Sequence, residues 1–204
     1  MPLSTITARG KRFARPLYLV GSVILVATFL LFNRPVHAAT PVSGTIPDGT
    51  VWTSAGSPYT VEADVIVPAG ATLTVEAGAV VHFAADAILS VGGSLNVNGA
   101  SGNEAVFMLA PGATGYWGGI VYESGSPGGS VSFADINGAG LPCDSICRGG
   151  VTILGGTVNI TDSQVHDSLQ YGVIQYGGTV NMTGTYVYGQ TYGFSLAYGT
   201  AILM

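Results

Sequence analysis

The sequence predicts an all-β chain, a solenoid of stacked parallel strands with a turn of about 22 residues, and three observations carry that prediction. The C-terminal third repeats itself. Gly-Gly-Thr at 155–157 returns at 177–179 and is followed by Tyr198-Gly199-Thr200, while Val158-Asn159 returns as Val180-Asn181. Within each copy Val158 and Ile160 alternate with Thr157, Asn159 and Thr161, the period of a strand buried on one face. Charged residues make up 8% of the 204 residues and glycines number 31, which favours a large core with tight turns over a disordered chain.

One such unit cannot cover its own apolar face, so units stack at about 4.8 Å and share a continuous core. The expected inward ladders are Val131, Val158, Val180, Ala201 and Phe133, Ile160, Met182, Leu203, with Thr and Asn columns outside. The copy from Gly128 has a longer spacing, and its excess is the segment LPCDSICRGG. Alternating runs at 59–69, 71–83 and 88–98 extend the pattern toward the N-terminus. Residues 39–58, with Trp52, are expected to cap the open end, and 59–204 to form the solenoid.

Residues 1–38 read as a secretory signal peptide. Arg9, Lys11, Arg12 and Arg15 precede an apolar stretch at 17–32, and Val36-x-Ala38 places small residues at a cleavage spacing. The chain is therefore expected to be secreted or displayed at the cell surface, with the segment either cleaved or kept as an anchor. Beyond Ala38, eleven acids face one cation, Arg148, a net charge of −10 with His neutral. One cation cannot neutralise a row of phosphates, which excludes nucleic acid as a partner. Cys143 and Cys147, four apart, read as a short disulfide loop in an oxidising compartment, with no further ligands nearby for a metal.

The run DGTVWTSAGSPYTVEADVIVPAGATLTVEAGAVVHF, then GSLNVNG, then Trp117-Gly118-Gly119-Ile120, resembles secreted bacterial right-handed parallel β-helix repeat proteins of the pectate-lyase-like superfamily. The resemblance spans residues 45–204 and implies a right-handed parallel β-helix. It implies no single activity, because the superfamily holds pectate lyases, polygalacturonase-like hydrolases, tailspikes and non-catalytic surface proteins. Resemblance to the lyases implies a Lys or Arg base beside a carboxylate-bound calcium, yet only Arg148 follows residue 38. The hydrolase motifs Asn-Thr-Asp, Asp-Asp, Gly-His-Gly and Arg-Ile-Lys are absent as well. The chain thus resembles a non-catalytic member.

Two groups of side chains are candidate sites. Asp162, His166 and Asp167 in TDSQVHD, with Asp135 one rung away, are weak candidates for carboxylate catalysis on a sugar, weighed against service as turn residues. Tyr171, Tyr176, Tyr186, Tyr188, Tyr192 and Tyr198 are the binding candidates, because stacked exposed tyrosines offer an amphipathic strip to sugar rings or a protein. His82, between Val81 and Phe83, is expected outside. Asn159-Ile-Thr and Asn181-Met-Thr match glycosylation sequons and belong to the outer polar columns. Calcium on the outer acids is the one cofactor left open, and no metal site is assigned, since no DxDxDG-type loop occurs.

The expected function is adhesion, or binding of an extracellular polysaccharide or surface protein. The alternative is a polysaccharide-degrading hydrolase or lyase, or a fragment of one. Residues 192–204 start a rung and stop, so the chain is expected to be truncated, or to self-associate through its open C-terminal rung.

Overall fold

The computed structural model describes residues 38–143 and 146–204. The predicted signal segment, apart from Ala38, lies outside the described residues.

Strands are numbered along the chain and fall into three columns. The first face holds β2 (Thr50–Trp52), β4 (Thr72–Glu76), β7 (Ser94–Asn98), β10 (Gly128–Ser132), β13 (Thr157–Thr161), β16 (Thr179–Thr183) and β19 (Thr200–Leu203). The second holds β5 (Val80–Phe83), β8 (Ala105–Leu109), β11 (Ala134–Asn137), β14 (Gln164–His166) and β17 (Tyr186–Tyr188). The third holds β6 (Ile88–Val91), β9 (Gly119–Tyr122), β12 (Val151–Ile153), β15 (Tyr171–Gln175) and β18 (Tyr192–Leu196). The long strand β3 (Tyr59–Val67) serves both of these faces, pairing with β5 through its start and with β6 through its end. Strand β1 (Thr40–Thr45) lies along its other edge, and β2 pairs with β4.

Every pairing of these strands is parallel. Each turn of chain visits the first, second and third face in order, as β13, β14, β15 do before β16 restarts the cycle. The chain is a parallel β-solenoid. Among the described residues the one helical element is the 3-10 turn Ser54–Gly56, and no helix is long and apolar enough to cross a membrane.

Period-two alternation sends every second side chain into the shared interior. On the first face Val75, Val97, Val131, Ile160 and Met182 form one inward column, and Leu73, Leu95, Gly129, Val158 and Val180 the next. All of these residues except Gly129 are buried, each apolar side chain contributing about 1.5–3 kcal/mol when withdrawn from water. The column differs from the sequence expectation at one point. Val131 sits opposite Ile160, not Val158, and Phe133 has left the strand for a corner with φ +48°. Gly129 takes the place opposite Val158 because a Cβ there would run into the backbone of Leu95. The shift is two residues, so inward and outward parity is unchanged.

Corners are made by residues in the left-handed region. Phe133 and Asp162 turn the chain from first to second face, and Asp167 turns it from second to third, with φ of +48°, +48° and +52°. The same interior encloses stacked aromatic pairs, Phe83 with Trp117 at 4.0 Å and Trp52 with Tyr59 at 5.2 Å between centroids.

The outward row of the third face is covered over its middle rungs. Val121, Thr152 and Ile174 alternate with core residues yet are buried. The segment between β11 and β12 folds back here. Gly149 N–H donates to Thr152 Oγ1 at 3.0 Å, and the Tyr176 hydroxyl meets the backbone of Cys147. This segment carries the Cys143–Cys147 disulfide. Among the described residues no segment covers β14 and β17 of the second face in this way, and that is where the candidate side chains gather.

Candidate functional site

The outward positions of the second face form two columns. Parallel register aligns Val106, Asp135, Gln164 and Tyr186 in one, and Asn137, His166 and Tyr188 in the other. Inward Ile136, Val165 and half-buried Val187 pin the strands from behind, so parity alone turns these polar and aromatic side chains to solvent.

His166 is the centre of the arrangement. Its Nε2 lies 2.9 Å from Asp135 Oδ1 and its Nδ1 2.7 Å from Asp167 Oδ2. A neutral ring donates through one nitrogen only, so both contacts are donor bonds at once when the ring is imidazolium. Asp135 Oδ1 also accepts from Asn137 Nδ2 at 3.2 Å. The Tyr188 ring stacks on the imidazole with 4.9 Å between centroids and 1° between planes, and its hydroxyl donates to Gln164 Oε1 at 2.9 Å. Tyr186 stands beside it, 71% exposed against 48% for Tyr188.

The two groups of candidates therefore meet on one surface: Asp135, His166 and Asp167 from the carboxylate set, Tyr186 and Tyr188 from the tyrosine set. Asp162 is not part of it. It holds the corner before β14, its N–H bonded to the Thr183 carbonyl at 3.0 Å. Tyr171 and Tyr192 pair on the third face, stacked at 4.9 Å with 19° between planes. Tyr176 and Tyr198 do not continue that strip. The Tyr176 hydroxyl accepts from Cys147 N–H at 3.0 Å and donates to the Cys147 carbonyl at 3.3 Å, bracing the disulfide loop, while Tyr198 projects into solvent.

A sugar-cleaving pair of carboxylates needs open space between them for the glycosidic bond or a water. The His166 ring fills the space between Asp135 and Asp167. What remains outward is an aromatic face ringed by carboxylate and amide oxygens, a set suited to hydroxyl donors and to the C–H faces of rings. Gln164 and Asn137 were not singled out from sequence, though their signal was present in the outward parity of β14 and β11.

Acids elsewhere hold corners together. Asp48 Oδ1 accepts from Thr72 N–H at 2.8 Å, and Asp64 Oδ1 from Ile88 N–H at 3.1 Å. A shallow groove of 520 Å³ lined by Glu62, Asp64 and Asp86 lies at the corner between second and third faces. Among the described residues no cluster of His, Cys, Asp and Glu has the arrangement of a metal site. His82 is outward on β5 as expected but half-buried, and desolvation lowers its pKa below the ordinary histidine value.

Comparison with family models, with curated proteins and with solved structures gives no match for this chain.

Proposed function

We propose that this chain is an exported, non-catalytic binding protein of the cell surface or its surroundings, which uses the second face of its solenoid to hold a glycan or another surface molecule. The observation that carries this reading is the pair Tyr186 and Tyr188, aromatic and open to solvent on a parallel sheet, with the His166 ring stacked on Tyr188. Binding sites built on strands hold their geometry better than sites on loops. A right-handed wind and a place in the pectate-lyase-like superfamily belong to the same proposal, supported by the parallel three-faced architecture and by the sequence run 45–83. Export is supported by the basic and apolar pattern of residues 1–38.

The test is adhesion of the full-length chain to cell-wall material, read with wild type and with a Tyr186→Ala, Tyr188→Ala double variant. Tyrosine-dependent retention is the expected result. Equal retention of both proteins would remove this face from the function. The alternative, a polysaccharide-degrading enzyme with Asp135, His166 and Asp167 as its reacting groups, is tested in the same incubation. Release of reducing ends or unsaturated uronides during the same incubation, lost in His166→Ala, would establish that reading instead.

A further inference from the structure

The charge around the platform selects among hydroxyl-rich polymers. Two carboxylates, Asp135 and Asp167, flank the aromatic rings, with side chains 31% and 65% exposed. Arg148 is the only Lys or Arg among the described residues, and it is half-buried in the disulfide loop, where its backbone bridges to Leu141. A polymer of uronic acids would thus meet two carboxylates with no Lys or Arg beside them, and the one other group there able to carry positive charge, the His166 ring, already faces Asp135 and Asp167 through its two nitrogens. An uncharged sugar meets the opposite situation, because its hydroxyls donate to carboxylate and amide oxygens.

We propose that this face binds an uncharged polysaccharide and discriminates against uronic-acid polymers, a proposal that rests on reading the second face as a binding surface. Three features of the site support the assignment. The Tyr188 ring stacks parallel on His166 with centroids 4.9 Å apart, and Tyr186 and Tyr188 keep 71% and 48% of their surface exposed as aromatic area for the C–H side of a sugar ring. The side chains are fixed before any ligand arrives: Tyr188 by Gln164, and His166 by two carboxylates. Little rotamer entropy is therefore lost on binding. Finally, a protein partner would have to desolvate both carboxylates against an apolar anchor, which costs several kcal/mol per uncompensated ion. A glycan brings its own hydroxyls to them.

The experiment is retention of the full-length chain on immobilised polymers, uncharged xylan and β-glucan against polygalacturonate and alginate, at low salt where repulsion is least screened. Wild type is expected on at least one uncharged polymer and on neither anionic one. The Tyr186→Ala, Tyr188→Ala double variant should lose about tenfold in affinity. Tyr188→Phe keeps the ring and should stay within a few-fold of wild type, which separates ring stacking from loss of fold; circular dichroism checks the fold of each variant. Retention on polygalacturonate or alginate as strong as on xylan or β-glucan overturns the proposal, as does uncharged-polymer retention that the double variant leaves intact. Absence of retention on every uncharged polymer also overturns it. If cell-wall adhesion stays tyrosine-dependent in that last case, the binding face stands and only the ligand class falls.

Discussion

The hydroxyl of Tyr122 lies wholly inside the solenoid with no hydrogen-bond partner among the described residues, and burial pushes its pKa well above the ordinary tyrosine value. An unpaired buried hydroxyl carries its desolvation cost without return. Tyr122→Phe removes that group and keeps the ring, so it should stabilise the fold by about 1 kcal/mol, read as a rise in the urea midpoint. A lower midpoint would mean that the hydroxyl has a partner, such as an internal water. Ile160 and Asn159 are adjacent residues with opposite fates, one in the core and the other exposed with its Oδ1 accepting from Asn181 Nδ2 at 2.7 Å. Ile160→Asp should cost on the order of 3–5 kcal/mol, because it strands a charge between rungs. Asn159→Asp keeps an acceptor for Asn181 and should cost less than about 1 kcal/mol. Similar losses of thermal stability in the two variants would contradict the assigned parity. This parity was legible in the sequence, since alternation is a property of neighbouring residues. The position of Phe133 was not, because Phe fits the alternation and nothing local marks it as a corner.

Among the elements, the corners are what let short strands stack. Gly178 turns the chain from third to first face at φ +72°, and a Cβ there would collide with the Gly156 carbonyl oxygen one rung away. Gly178→Ala should therefore destabilise by more than about 2 kcal/mol in equilibrium unfolding. Asp162 also lies in the left-handed region, where the next rung carries Gly184 at φ +60°. Asp162→Gly should be neutral or stabilising by a few tenths of a kcal/mol, the relief of strain offset by a more flexible unfolded chain. A large loss in Asp162→Gly would instead assign its carboxylate a role in the fold. The repeated Gly-Gly-Thr marked the first of these corners in the sequence. The second was marked less sharply, since an Asp in TDSQVHD reads first as a turn residue but also fits a weak candidate for a catalytic acid. The tyrosines divided for a similar reason: Tyr176 looks like its neighbours in sequence, but the disulfide loop folds back within reach of its hydroxyl.

At the scale of the whole molecule, apolar columns carry the described fold, and ion pairs among the described residues contribute little. The pairs among the described residues are the two made by His166, while residues 39–204 hold a net charge of −10. Added salt should then leave thermal stability unchanged or raise it slightly, by screening self-repulsion. A fall in melting temperature with salt would reveal charge pairing that matters. The sequence by itself determined the all-β class, the period of the turn and the side of the strand each residue faces. Those follow from alternation and glycine placement within a few residues of chain. Only the tertiary structure decided which residues stand opposite one another. Gly128 pairs with Thr157 across a long turn and Thr157 with Thr179 across a shorter one, so column partners depend on how much chain each corner absorbs. Asp135 and His166, 31 residues apart, meet for that reason, and with Tyr188 in the next rung they make a surface no local pattern could announce. Parity is local because it is set by the backbone torsions of one strand, whereas register is fixed only when inter-strand hydrogen bonds and the packed core select one alignment from several.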